Sequence, residues 1–176
     1  MKNLILFTIL LFSQVQLQAQ DEHVVTFKSD DENIVLQVQK ASFRSSEGIK
    51  GNEYKYVFKE TTSNIIIKKD SLLEFTIDKG FGKISPMNDV RIVRFEVDKK
   101  KRYTRLFTAG PLNKDGDVKP DLVKGTVKKT GDNTFSVSVE NLEVGEYAFV
   151  IGNVNFYKNS RIANRPIVFQ CFTITE

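Results

Sequence analysis

The feature that most restricts what this chain can become is a hydrophobic period of two. Ile34, Leu36 and Val38 alternate with Val35, Gln37 and Gln39, and Tyr54, Tyr56 and Phe58 alternate with Lys55, Val57 and Lys59. Leu73-Phe75-Ile77, Val93-Phe95-Val97 and Phe135-Val137-Val139 repeat the pattern, the last against Ser136, Ser138 and Glu140. Successive side chains of an extended strand point to opposite faces. Such alternation therefore describes half-buried strands, with one face on a core and the other in water. Turn-forming clusters separate the runs: Ser45-Ser46-Glu47-Gly48, Asp78-Lys79-Gly80, Lys119-Pro120-Asp121 and Gly131-Asp132-Asn133. After residue 20 no amphipathic helical pattern is sustained for ten residues, and no repeat or composition shift marks a second domain. One all-β domain over residues 21–176 is the expectation.

The C-terminal third narrows the architecture. Thr134–Val139 reads as a strand, Asn141-Leu142-Glu143-Val144-Gly145-Glu146-Tyr147 follows, and Ala148-Phe149-Val150-Ile151 begins another strand. Leu142, Gly145 and Tyr147 form a Leu-x-x-Gly-x-Tyr corner that resembles the tyrosine corner of immunoglobulin-like and fibronectin-like sandwiches. Gly145 is expected to permit the tight crossover between sheets, and Tyr147 to return its hydroxyl to backbone a few residues upstream. A loop from Gly152 to Pro166 and a final strand from Ile167 to Thr175 complete an E, F, G strand order. The fold class is then an immunoglobulin- or fibronectin-like antiparallel β-sandwich. Because such domains need only ~100 residues, extra strands or long loops are required, with 78–89 and 110–121 the best places for insertions.

The N-terminus gives a destination. Met1-Lys2-Asn3 is a short positive segment, Leu4 to Phe12 is an apolar run of nine residues, and Ser13 to Gln20 is polar with small Ala19 near its end. Nine residues are too few for a transmembrane helix, which needs ~20, whereas the three-part layout is that of a secretory signal. Removing the first 20 of 176 residues leaves 156, enough to bury a sizeable core. A 40% hydrophobic and 27% charged composition is that of a globular chain. The expected product is exported, to the periplasm or the cell exterior, with no transmembrane segment after signal removal.

Composition then excludes several kinds of chemistry. One His, one Cys and no Trp leave no His-based metal cluster, no disulfide within the chain and no Trp-lined sugar platform. Cys171 lies in the strand-like run Ile167–Ile174 and reads as a small buried hydrophobe, with an intermolecular disulfide as the alternative. A nucleophilic role for it, or a Ser–His–Asp triad, would have to use His23, close to the expected cleavage point. Asn113-Lys114-Asp115-Gly116-Asp117 carries oxygen ligands on alternate positions, so Asn113, Asp115 and Asp117 are the candidate calcium ligands. An EF-hand loop would need Gly and Glu where Val118 and Lys124 stand. Gly80-Phe81-Gly82-Lys83 lacks the spacing of a phosphate loop. Glu74 and Glu96 fall on strand faces opposite Phe75 and Phe95, where solvated charges belong. No cofactor is expected.

The most distinctive local feature is basic. Residues 98–105 (DKKKRYTR) hold five basic residues and one acidic one, so this run alone accounts for the formal net charge of +4. Placed between two strands, it should form an exposed hairpin end at which Lys99, Lys100, Lys101, Arg102 and Arg105 could contact an anionic polymer. Solvated lysines that discourage edge pairing are the simpler account. Nucleic acid would call for interleaved exposed aromatics and is not an expected partner.

The signal ending Leu17-Gln18-Ala19-Gln20, the corner Leu142–Phe149 and the closing Phe169-Gln170-Cys171-Phe172 together resemble small exported β-sandwich proteins of Bacteroidota with no assigned function. Asp70-Ser71-Leu72 is similar to the O-glycosylation signal of exported Bacteroidota proteins, which makes Ser71 a candidate modification site. The resemblance implies a location and a fold but brings no activity with it. The expected function is a non-enzymatic binding or accessory module of the cell envelope, partnered by an envelope protein or a glycan. The alternatives are a carbohydrate-active or other hydrolytic protein, and an anion-binding surface protein using the basic hairpin. The oligomeric state is left open.

Overall fold

A computed structural model describes residues 23–29, 32–48, 51–78, 90–109, 120–151 and 167–176. Among them are β1 (Val24–Lys28), β2 (Asn33–Val35), β3 (Gln37–Gln39), β4 (Ser42–Gly48), β5 (Gly51–Phe58), β6 (Ile66–Lys68), β7 (Leu72–Asp78) and β8 (Val90–Arg94). They are followed by β9 (Glu96–Asp98), β10 (Lys101–Ala109), β11 (Asp121–Val123), β12 (Thr126–Lys129), β13 (Thr134–Glu140), β14 (Gly145–Ile151) and β15 (Phe169–Thr175). The all-β reading holds, and no described helix is long and apolar enough to cross a membrane.

The strands form three sheets: β12-β13-β7-β1-β2, β11-β8-β14-β15-β3 and β4-β5-β10-β9. The first two reproduce the immunoglobulin arrangement, with D-E-B-A in one sheet and C′-C-F-G in the other. As expected, β13 crosses to the second sheet as β14, and β14 pairs antiparallel with β15. The single parallel ladder among the described strands joins β6 to β15.

The third sheet makes the middle sheet a core on both of its faces. Along β14, Tyr147 and Phe149 join Phe75, Ile77, Phe172 and Ile174 against the first sheet. The alternate residues Ala148 and Val150 join Tyr56, Phe58, Leu106, Phe169 and Cys171 against the third. Ring pairs fill both interfaces, Phe75–Phe149 at 4.9 Å on one side and Phe58–Phe169 at 5.2 Å on the other. Each such fully buried side chain is worth about 1.5–3 kcal/mol in apolar surface removed from water.

Two runs expected to be uninterrupted strands change sheets midway. The chain passes from β2 in the first sheet to β3 in the second at Leu36, and from β8 in the second to β9 in the third at Phe95. Each crossing residue is buried, and its N–H is satisfied across the gap, Leu36 by Val25 O and Phe95 by Glu146 O, both at 2.8 Å. Strands that bend between sheets make the corners of a sandwich. The bend also breaks the face alternation, which is why Val38 and Val97 are 40% and 55% exposed where continuous strands would have buried them. The described extra strands come from 33–68 and 96–109. Most of the expected insertions at 78–89 and 110–121, and the loop 152–166, lie outside the described residues.

Candidate functional site

The basic hairpin forms, but it is not a tip of five free charges. Only Lys99 and Lys100 occupy the exposed turn, with the Lys99 N–H donating to Asp98 Oδ1 at 2.7 Å. From Lys101 onward β10 obeys strand alternation, so Arg102, Thr104 and Leu106 point into the interface with the middle sheet. Arg102 is fully buried, which corrects its expected place on the surface. Its guanidinium lies 5.1 Å from the Phe58 ring centroid and 5.5 Å from that of Phe95, and it donates to the Glu146 carboxylate and to Gln39 Oε1. Glu146 also accepts from Thr173 Oγ1 at 2.6 Å and from the Ser63 N–H at 3.0 Å. A buried charge persists only when paired and hydrogen-bonded, and this cluster supplies both. Arg102 is therefore spent on joining two sheets.

Arg105 faces outward. It lies 3.2 Å from Glu53 and 2.9 Å from Glu96, and the neighbouring Tyr103 hydroxyl, aided by these carboxylates, raises its pKa. On the same outer face the ladder register sets Arg44 opposite Lys55 and Lys55 opposite Arg105. The next row holds Ser42, Val57, Tyr103 and Glu96. Tyr103 donates to Glu96 at 3.0 Å, with Lys55 Nζ 5.3 Å from its ring centroid.

A groove of about 700 Å³ opens where the first sheet ends at β2 and the second reaches β6. Phe27, Ile34, Ile66 and Leu72 supply its apolar lining, and Lys28, Lys68 and Lys69 its positive charge. Ile66 and Leu72 are 62% and 46% exposed. Two carboxylates share the groove. Asp70 is held by the Ser71 N–H at 2.6 Å and the Ser71 hydroxyl at 3.1 Å, and Glu74 by Lys28 at 3.9 Å. Ser71 is exposed at the turn into β7.

The corner is present: the Tyr147 hydroxyl donates to Glu143 O at 2.9 Å, and Leu142 and Tyr147 are buried. Its backbone differs from expectation. The left-handed residue is Asn141, at φ 52°, whereas Gly145 stands outside that region, and a Cβ on it would sit 3.4 Å from the Arg94 Nε, in ordinary contact. The crossover therefore turns at Asn141.

Cys171 is buried among the apolar residues between the middle and third sheets, where desolvation pushes its thiol up to about 12. A disulfide between chains would need that core to open. The calcium candidates Asn113, Asp115 and Asp117, and the Gly80–Lys83 run, lie outside the described residues. Among the described residues no three His, Cys, Asp or Glu side chains are grouped to hold a metal ion.

Sequence reading overlooked the buried polar residues. Besides the Arg102 cluster, Gln170 accepts from the Val25 N–H at 2.8 Å and donates to His23 O, tying β15 to the first strand. The available signal was a polar residue inside an apolar run, as in Val168-Phe169-Gln170-Cys171-Phe172. Compared with known proteins, the chain matches no family model, no curated protein and no solved structure.

Proposed function

We propose that the protein is an exported, non-enzymatic binding module of the bacterial cell envelope, acting on an envelope protein or glycan. The observation that supports this reading is how the polar side chains are divided. The buried ones, Arg102, Glu146, Thr173 and Gln170, hold layers together, and the exposed ones line an open groove and a charged sheet face. Acid–base catalysis at neutral pH calls for a carboxyl or imidazole tuned by a shielded site. The groove carboxylates are instead water-facing and held by Ser71 and Lys28. The leader-like residues 1–20 support export.

The full chain, expressed with its own N-terminus, should be recovered outside the cytoplasm with a new N-terminus after Ala19 or Gln20. Purified protein should be retained by an envelope fraction (peptidoglycan, lipopolysaccharide or capsular glycan) without consuming it. Cytoplasmic retention of the uncut chain would remove the export reading. Turnover of a glycoside or ester lost in Asp70→Asn or Glu74→Gln would establish the hydrolytic alternative.

A further inference from the structure

The outer face of the third sheet carries an arrangement that a sheet built for stability would avoid. Arg44 on β4, Lys55 on β5 and Arg105 on β10 stand directly opposite one another, one cation per strand across three neighbouring strands. Like charges in directly opposed positions destabilise a sheet. Glu53 partly offsets this by contacting Lys55 at 3.4 Å and Arg105 at 3.2 Å, and Glu96 contacts Arg105 at 2.9 Å. Arg44 is exposed and has no carboxylate partner among the described residues. The adjoining turn adds exposed Lys99 and Lys100, whose field reinforces the same sign.

We propose that this face binds an acidic polysaccharide, a chain whose sugar rings carry carboxylates, laid across the strands along Arg44, Lys55 and Arg105. Strand spacing of ~4.8 Å sets the three cations in a row about 10 Å long across the strands, which an extended chain carrying repeated carboxylates can follow. Arg44, the one of the three without a carboxylate partner among the described residues, offers a planar fork that matches a carboxylate in two parallel hydrogen bonds. Tyr103 holds the row in place from the neighbouring position, with Lys55 and Arg105 both against its ring. Nucleic acid fits less well, because sheet-face readers stack bases on several aromatics, and Tyr103 is the one described aromatic that this face turns outward. The inference rests on the binding-module reading and supplies its ligand class.

The test is titration of the purified protein with polygalacturonate, with dextran as the neutral control and oligodeoxythymidylate as the nucleic-acid control. Polygalacturonate alone should bind, weakening about tenfold or more between roughly 50 and 300 mM salt. Arg44→Glu should lower affinity about tenfold or more. Its Tm should stay level or rise by up to about 2 °C, because the substitution places opposite charges face to face. Lys128→Glu/Lys129→Glu, on exposed β12 of the first sheet, should leave affinity within about twofold at matched salt. The proposal is overturned by no binding to polygalacturonate, by equal loss in the β12 variant, or by tighter binding of the oligonucleotide. Retention by an envelope fraction that Ile66→Glu abolishes and Arg44→Glu leaves intact would also overturn it, moving the site to the groove while the module reading stands.

Discussion

The guanidinium of Arg102 on β10 and the carboxylate of Glu146 on β14 form an ion pair whose side chains are 0% and 5% exposed. It is the polar joint between the third sheet and the middle one, flanked by Phe58, Phe95 and Thr173. The desolvation cost of such a pair roughly cancels its attraction, but removing one member leaves the other charge buried and alone. Arg102→Ala is therefore expected to cost about 3–5 kcal/mol. Arg102→Met/Glu146→Gln should cost less than the two single changes combined. Equilibrium urea unfolding measures both, and additive losses would mean that the pair is not coupled.

The Tyr147 hydroxyl makes one hydrogen bond across the corner, to Glu143 O. Tyr147→Phe keeps the ring stacked on Phe172 at 5.5 Å and removes only that bond. The expected loss is about 1 kcal/mol, or a Tm roughly 2–4 °C lower for a chain of this size. An unchanged Tm would show that water satisfies the carbonyl equally well.

Asn141 and Gly145 should respond in opposite ways to alanine. At φ 52° a Cβ-bearing residue without a short polar side chain is strained by roughly 1–2 kcal/mol. Asn141→Ala should destabilise by about that amount, and Asn141→Gly should be tolerated. Gly145→Ala would place its Cβ in ordinary contact with the Arg94 and Tyr147 side chains, at 3.4 and 3.5 Å, and should change stability by less than about 0.5 kcal/mol. Thermal unfolding of the three variants decides which residue turns the crossover.

Burial raises the Cys171 thiol from 9.0 to about 12 and pushes Tyr56 and Tyr147 above their ordinary 10.0. All three hold their protons more tightly in the folded state than in the unfolded one. The stability they contribute is present below pH 9 and declines from about 9 to 12, because the unfolded chain loses protons first. Stability should fall over that range, and Cys171→Ala should make the fall shallower near its start. Thiol labelling of native protein at pH 8 should proceed only as fast as unfolding exposes Cys171; immediate labelling would contradict its burial.

The strands were legible because period-two alternation follows directly from backbone geometry. Leu73-Phe75-Ile77 and Phe135-Val137-Val139 are buried as their spacing implies. The corner was legible for a related reason. Tyr147 and its carbonyl partner lie four residues apart, so one short segment contains the whole contact. The turn at Asn141 was harder to see, because Asn adopts a left-handed conformation without announcing it, and the nearby glycine was the more obvious choice.

What alternation does not carry is the identity of the neighbouring sheet. Leu36 and Phe95 look like ordinary strand positions, yet at each the chain changes sheets and reverses which side is wet. Ala148-Phe149-Val150-Ile151 and Phe169-Gln170-Cys171-Phe172 lack alternating exposed positions because the middle sheet is buried on both faces, a consequence of a third sheet assembled from segments far apart in the chain. The same assembly sorts the charges. Five basic residues between 98 and 105 look alike in sequence, but strand parity and a carboxylate 44 residues away take Arg102 into the core. Register across three strands then aligns Arg105 with Lys55 and Arg44. Local periodicity records which residues form strands, because each residue's direction depends on its own backbone. Partners depend on long-range pairing, and so the difference between a buried joint and a cationic row on an outer sheet face arises only once the sheets are packed.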